Sequence, residues 1–264
     1  MQQMDIVMVG AGRLATHLSE ALQRQGHRIV CVYSRTMTSA KGLGIRLGTE
    51  ATNELDMLPR QADAFILSVK DDVLPKLIPR LAKGREQCVM LHTAGSVPMS
   101  VFGNLPNVGV LYPMQTFTKG RNVDFSTIPI YIEGSSQQAL SVAQALAQSV
   151  SNKVEEVSSE QRRYLHLAAV FACNFANHCY ALAAELLEAH GLKFEAMLPL
   201  IAETAEKVRT IAPRQAQTGP AVRYDEQVIK AQLDLLSSQP SMQEIYALMS
   251  RSIHELATQD VAKP

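Results

Sequence analysis

The chain carries no net charge: 25 Lys and Arg stand against 25 Asp and Glu among 264 residues. A general nucleic-acid binder needs a basic excess to neutralise phosphates. That class is therefore excluded, while a local basic site for a small anion is not. Cysteine is scarce. Cys31, Cys88, Cys173 and Cys179 sit singly in apolar segments, with neither a CxxC pair nor Cys/His ligand spacing. This argues against a bound metal or a disulfide framework and for reduced thiols in the cytoplasm. No basic stretch followed by a long apolar run opens the chain, so a secretory leader is not expected. The most apolar stretch, 165–187, is interrupted by Asn174, Asn177, His178 and Glu185, which speaks against a membrane span. Repeats and low-complexity tracts are also absent. What remains is 47% hydrophobic residues, enough for a sizeable core, in a length that suits one large domain or two medium ones.

The texture changes part-way along. Up to Val157, short β-branched runs alternate with amphipathic stretches. The strand candidates are Asp5–Gly10, Arg28–Tyr33, Ala64–Val69, Cys88–His92, Val108–Tyr112, Ile128–Ile132 and Lys153–Val157. Continuous apolar strands separated by helices mean a parallel sheet covered on both faces. From Ser158 the strands stop. Residues 159–190 read as one long helix, apolar nearly all round in its middle and so expected to be buried on several sides. Helices follow at 193–210, 225–237 and 241–258. Two domains are expected, 1–157 and 158–264, with the long helix shared across a homodimer.

Gly10-Ala11-Gly12-Arg13-Leu14-Ala15 is a GxGxxA turn. It follows an apolar strand and opens an amphipathic helix, which is the context a dinucleotide-binding turn requires. Gly10 permits the tight turn, Gly12 lets backbone approach a pyrophosphate, and the helix N-terminus offers free N–H groups. An NAD site would end the second strand with Asp or Glu. Here Ser34 and Arg35 stand there, a hydroxyl and a guanidinium suited to a 2′-phosphate, so NADP is expected rather than NAD. The alternative is that Arg35 is an ordinary surface cation. Val69, Lys70, His92 and Thr93 end the next two strands and so face the expected crevice. Asp71, at a helix start, reads more simply as a cap.

The helical half carries polar residues on an apolar rod. At 100° per residue, His166, Asn174, Asn177 and His178 share one stripe, and buried amides and imidazoles need partners. Thr218-Gly219-Pro220 forms a turn before a helix that Asp225 can cap. Arg223 either holds an anionic substrate group or braces the turn by pairing with Asp225.

These segments, together with His92-Thr-Ala-Gly and Tyr112-Pro-Met-Gln-Thr-Phe, resemble the bacterial Rossmann-like NADP oxidoreductase proteins whose C-terminal half is a helical domain of unknown function. The architecture is also similar to pyrroline-5-carboxylate reductase and to the 6-phosphogluconate and 3-hydroxyisobutyrate dehydrogenases. The resemblance implies an α/β fold: a doubly wound Rossmann sheet followed by an all-α domain like the C-terminal domain of 6-phosphogluconate dehydrogenase. It implies a hydride transferred between NADP and a small polar carbonyl, imine or hydroxy compound. Asn174 matches the Asn of the hydroxyacid dehydrogenases, but Val170 stands where their Lys would be. His166 is then the expected acid/base, with His92 its rival, and imidazole titrates in the range the task needs. Asn174 would orient the substrate, and Asn177, Thr218, Arg223 and Asp225 would bind it. The missing Lys also fits an alternative, an NADP(H)-binding sensor without catalysis.

Overall fold

The computed structural model describes residues 2–259. Its first unit is built on β1 (Asp5–Val9), β2 (Arg28–Tyr33), β3 (Glu50–Thr52), β4 (Ala64–Leu67), β5 (Met90–His92), β6 (Val108–Pro113), β7 (Pro129–Gly134) and β8 (Lys153–Glu156). They form one 8-stranded sheet in the order β3-β2-β1-β4-β5-β6-β7-β8. The intervening helices are α1 (Arg13–Arg24), α2 (Met37–Leu47), α3 (Leu74–Ala82) and α4 (Gln137–Val150). The central strands β1, β4, β5 and β6 are apolar and buried, so both faces of the sheet are covered there. Ile6, Met8, Leu18, Leu22 and Leu146 belong to the core on the α1/α4 side. Val7, Val9, Phe65, Leu74 and Leu81 form the core beneath α3. This is the doubly wound Rossmann-like arrangement expected from the alternation. The strand order reverses between β1 and β4, and ligands bind at that switch point, outside the carboxyl ends of the strands.

The sheet is not wholly parallel, as the sequence suggested. β6 and β7 are antiparallel, with Leu111 opposite Ile132 and Tyr112 opposite Tyr131. Parallel neighbours require a crossover, normally a helix. The 114–128 connection contains only a 3-10 turn at Phe125–Thr127, so the chain returns beside the strand it has just left.

By compactness the chain divides into Met1–Phe175 and Ala176–Pro264. The long helix therefore starts in the first unit, as α5 (Ser159–Ala169), opened by a Ser158/Gln161 capping box. One π-helical segment, Val170–Phe175, follows. It inserts extra chain per turn, so the uniform 100° step that put Asn174, Asn177 and His178 in one stripe with His166 does not hold. The expected burial of this rod is not met within the chain either: Tyr164, Leu167, Phe171 and Phe175 are all at least half exposed.

The second unit is helical: α6 (Ala176–Ala189), α7 (Leu198–Lys207), α8 (Pro213–Ala216), α9 (Pro220–Arg223), α10 (Glu226–Leu235) and α11 (Pro240–Gln259). By length and composition alone, Ser159–Ala189, at mean hydropathy 1.3, is the one helix among the described residues able to cross a membrane. Asn174, Asn177, His178 and Glu185 remain exposed along it.

Candidate functional site

A groove of about 790 Å³ lies along the carboxyl ends of β1, β2, β4 and β5, within the size range of ligand pockets. All ten residues expected to hold the dinucleotide line it: Gly10, Ala11, Gly12, Arg13, Leu14, Ser34, Arg35, Val69, Lys70 and Thr93. The turn is built as the glycines imply. Gly10 has φ +126°, and its N–H donates to the Tyr33 carbonyl at 2.7 Å. Gly12 has nothing within 4 Å of where a Cβ would sit. α1 has no side-chain cap and no acidic residue in its first turn, so its N–H groups face outward unsatisfied, as an anion site requires.

The charge in the groove is strongly biased. Arg13, Arg35, Lys70, Lys76 and Arg80 line it, and their side chains make no hydrogen bond or ion pair among the described residues. Asp71 is the single lining carboxylate, and it accepts a hydrogen bond from Ser96 Oγ rather than capping a helix with its side chain. Beyond Arg35, Thr36 caps α2 by accepting from the Ser39 N–H at 3.4 Å, and both residues line the groove. Sequence reading missed Thr36, Ser39, Lys76 and Arg80. For the last two a signal existed, since i,i+4 spacing puts both on one helix face.

At the other end of the groove stands His166. Its Nδ1 lies 3.0 Å from Tyr112 Oη, and the two rings meet edge-on with centroids 6.0 Å apart. Tyr112 is 8% exposed. Burial first, and the neighbouring Tyr131 second, push its pKa up to about 12, so its hydroxyl keeps its proton. Gly95 makes room for the pair. A Cβ there would come 2.5 Å from His166 Nδ1 and 2.8 Å from Tyr112 Cζ.

His92 does not share this site, and its reading as a rival acid/base is corrected. It is wholly buried and does not line the groove. Its Nδ1 accepts the Ala94 N–H at 3.2 Å, and its ring stacks on Phe102. Side chains alternate along a strand, so Thr93 turns to the groove while His92 turns into the core. Burial, then the Arg162 guanidinium, pull the His92 pKa down to about 3. In the unfolded chain an imidazole protonates near pH 6.5, so between about 6.5 and about 3 the unfolded state binds more protons. The stability this neutral ring contributes is complete above that window. It is lost as pH falls through it, by up to about 1.4 kcal/mol per pH unit. Urea midpoints taken from pH 7 to 4 should fall less steeply in His92→Leu than in the wild type. Equal slopes would contradict this assignment.

Residues 1–115 match the Rossmann-like domain family and residues 128–253 match DUF2520, a domain of unknown function. A Bacteroides fragilis protein named a "putative NADP oxidoreductase" is 52% identical. The match has a TM-score of 0.91 and covers 96% of this chain and 98% of that one. The chain belongs to this Rossmann-like/DUF2520 family. A Thermotoga maritima protein of 21% identity superposes at a TM-score of 0.79 over 96% of this chain and 99% of that one. Pyrroline-5-carboxylate reductase from Coxiella burnetii, 17% identical, does so at 0.58 over the full length of both. These two show the fold alone. No curated protein matches the chain significantly.

The remaining candidates of this family member are not among the residues that line the groove. Asn174 is exposed in the π-helical segment and does not line the groove. In the helical unit, Gly219 at φ +106° turns the chain into α9, and Asp225 caps α10 through the Val228 N–H at 3.3 Å. Thr218 and Asn177 are exposed. Arg223 is exposed as well and makes no ion pair with Asp225, so the bracing pair is not formed. The buried-stripe argument does not carry over to Asn174, Asn177 and His178, which face solvent within the chain.

Proposed function

We propose that this protein is an NADP-dependent oxidoreductase moving a hydride between the nicotinamide and a small polar carbonyl, imine or hydroxy compound. One observation carries the reading. A single groove runs from an open, uncapped phosphate turn, past Ser34, Arg35 and Thr36, to a histidine held beside a buried tyrosine. The residues fit the cofactor. Gly10–Leu14 would hold the pyrophosphate, Ser34, Arg35 and Thr36 the 2′-phosphate, and Val69 and Thr93 the floor beneath. Bound there, the nicotinamide supplies or accepts the hydride. His166 then holds or releases the proton at its ring nitrogen. Arg223, without a hydrogen-bond partner among the described residues, is available for an anionic group of the substrate, with Asn174, Asn177, Thr218 and Asp225 as further candidate contacts.

The chain has no tryptophan, so NADPH emission reports binding without an indole background. Wild-type protein is expected to bind NADPH more tightly than NADH. Arg35→Ala should weaken NADPH roughly tenfold or more, the worth of a charge-assisted hydrogen bond, and leave NADH unchanged. Equal affinities in the wild type would remove the basis for NADP. We also propose a homodimer, supported by the exposed Tyr164, Leu167, Phe171 and Phe175, which a second copy would cover; sedimentation velocity tests this. Exposed Asn and Glu residues along the same helix favour a protein partner over a bilayer. The four free cysteines favour the cytoplasm.

A further inference from the structure

We infer that Tyr112 is a positioning residue. It holds His166 with its proton on Nε2, so the site offers an N–H donor, and the substrate's reacting heteroatom is one with a free lone pair. This rests on the proposed function and narrows its substrate class to compounds that present a free lone pair at the reacting atom, excluding protonated imines.

The direction of the Tyr112–His166 bond follows from which group must give a proton. A phenol with its pKa pushed to about 12 is a donor at neutral pH. His166 Nδ1 is the one partner its hydroxyl has among the described residues, at 3.0 Å. Pointing the O–H elsewhere would leave a buried donor unsatisfied, which costs more than the bond itself contributes. Nδ1 is therefore the acceptor. In a neutral imidazole an accepting Nδ1 means a protonated Nε2. The ring cannot rotate freely out of this arrangement, because it is seated against the bare Cα of Gly95.

Nε2 has no partner among the described residues and is not among the buried unsatisfied atoms, so it is open to an incoming ligand. There is space for one. His166 lines both the groove and a second cavity of about 570 Å³, bounded by Ser96, Pro98, Arg163 and Tyr164. An N–H at its edge attracts a carbonyl or hydroxyl oxygen. It repels the N–H of an iminium, since two donors then face each other without an acceptor.

Histidine-selective ¹⁵N NMR of the whole protein tests this, with His166 assigned by its loss in His166→Gln. The wild type should show the Nε2–H tautomer as the major form of the neutral ring. In Tyr112→Phe the tautomer ratio should fall by about tenfold, the worth of one hydrogen bond. Gly95→Ala, which displaces the ring, should shift it in the same direction. A major Nδ1–H form in the wild type, or a ratio unchanged in Tyr112→Phe, overturns the inference. Cyclopentanone and pyrrolidinium, a ring ketone and a ring cation of similar size, are then added with and without NADP⁺. The ketone should move the Nε2 resonance and the cation should not. Movement by the cation, or by neither probe, also overturns it. NADPH emission on the same samples separates the two failures. Absent NADPH binding defeats the proposed function, while the tautomer is read without any cofactor.

Discussion

Glu133→Ala is expected to destabilise the sheet unit by about 3–5 kcal/mol, because it strands a buried cation. Arg162 is 0% exposed. One guanidinium nitrogen meets the Glu133 carboxylate in an ion pair whose glutamate side chain is 16% exposed. The other donates to the Val97 carbonyl at 2.7 Å and to Ser159 Oγ at 3.2 Å. Glu133 also accepts from the Ser159 N–H at 3.0 Å and its hydroxyl at 2.7 Å. Removing the carboxylate thus takes away both the counter-charge and the partner of a helix-start amide. The functional consequence follows from spacing. His166 lies four residues after Arg162, one turn along α5, so this network is what fixes the helix that carries the candidate acid/base. Urea unfolding of the wild type and Glu133→Ala checks the magnitude, and amide hydrogen exchange in 159–169 checks the location. The double variant Glu133→Leu/Arg162→Met should recover much of the loss, since an apolar pair of similar volume replaces a desolvated ion pair at little cost. A loss below about 1 kcal/mol in the single variant, the range of an exposed pair, would mean the guanidinium is not buried as described.

How much of this could be read beforehand depends on how local each feature is. The phosphate turn was legible because strand, turn and helix are adjacent in sequence, and each glycine has one physical job there. Gly10–Leu14 line the groove for that reason, and Ser34, Arg35, Val69, Lys70 and Thr93 join them because each ends a strand of the same sheet. Strand direction was not legible. An apolar run says that a strand is buried but not which way it points, so the antiparallel β6/β7 pair was missed, as was β3, whose three residues carry no apolar run. The groove's chemical end was half seen. His166 was read from its helix, but Tyr112 was noted only as the start of a segment that carries the family resemblance. The two are 54 residues apart, and nothing short of the sheet's register brings them together. His92 was misplaced by one residue of alternation. Asn174 was misplaced by the π-helical segment, for which Val-Phe-Ala-Cys-Asn-Phe carries no breaker or other cue. The long helix was read as buried on several sides because apolar residues usually find cover, and Tyr164, Leu167, Phe171 and Phe175 do not find it within this chain.

Gly10→Ala and Gly12→Ala should separate the two tasks of the phosphate turn, folding and binding. A Cβ on Gly10 would lie 2.0 Å from the Ser68 carbonyl oxygen and 2.7 Å from its carbon. Both are backbone atoms at the end of β4, so no side chain can swing away to relieve the clash. The backbone there has φ +126°, a conformation that alone costs an alanine about 1–3 kcal/mol. Relief requires parting the β1 turn from β4, and these two strands form the switch point beneath the groove. Gly10→Ala should therefore lose several degrees of melting temperature together with NADPH binding. Gly12 is the opposite case. Its φ is −78°, and nothing stands within 4 Å of its would-be Cβ, so the folded chain accepts a methyl group at the cost of a poorer helix cap, about 1 kcal/mol. The methyl would instead occupy space the pyrophosphate needs. Gly12→Ala should keep most of the melting temperature and still lose at least tenfold in NADPH affinity. If Gly12→Ala binds NADPH as the wild type does, the open space at Gly12 is not where the phosphates sit. If Gly10→Ala melts as the wild type does, β1 and β4 are not in the close contact that defines the floor of the groove.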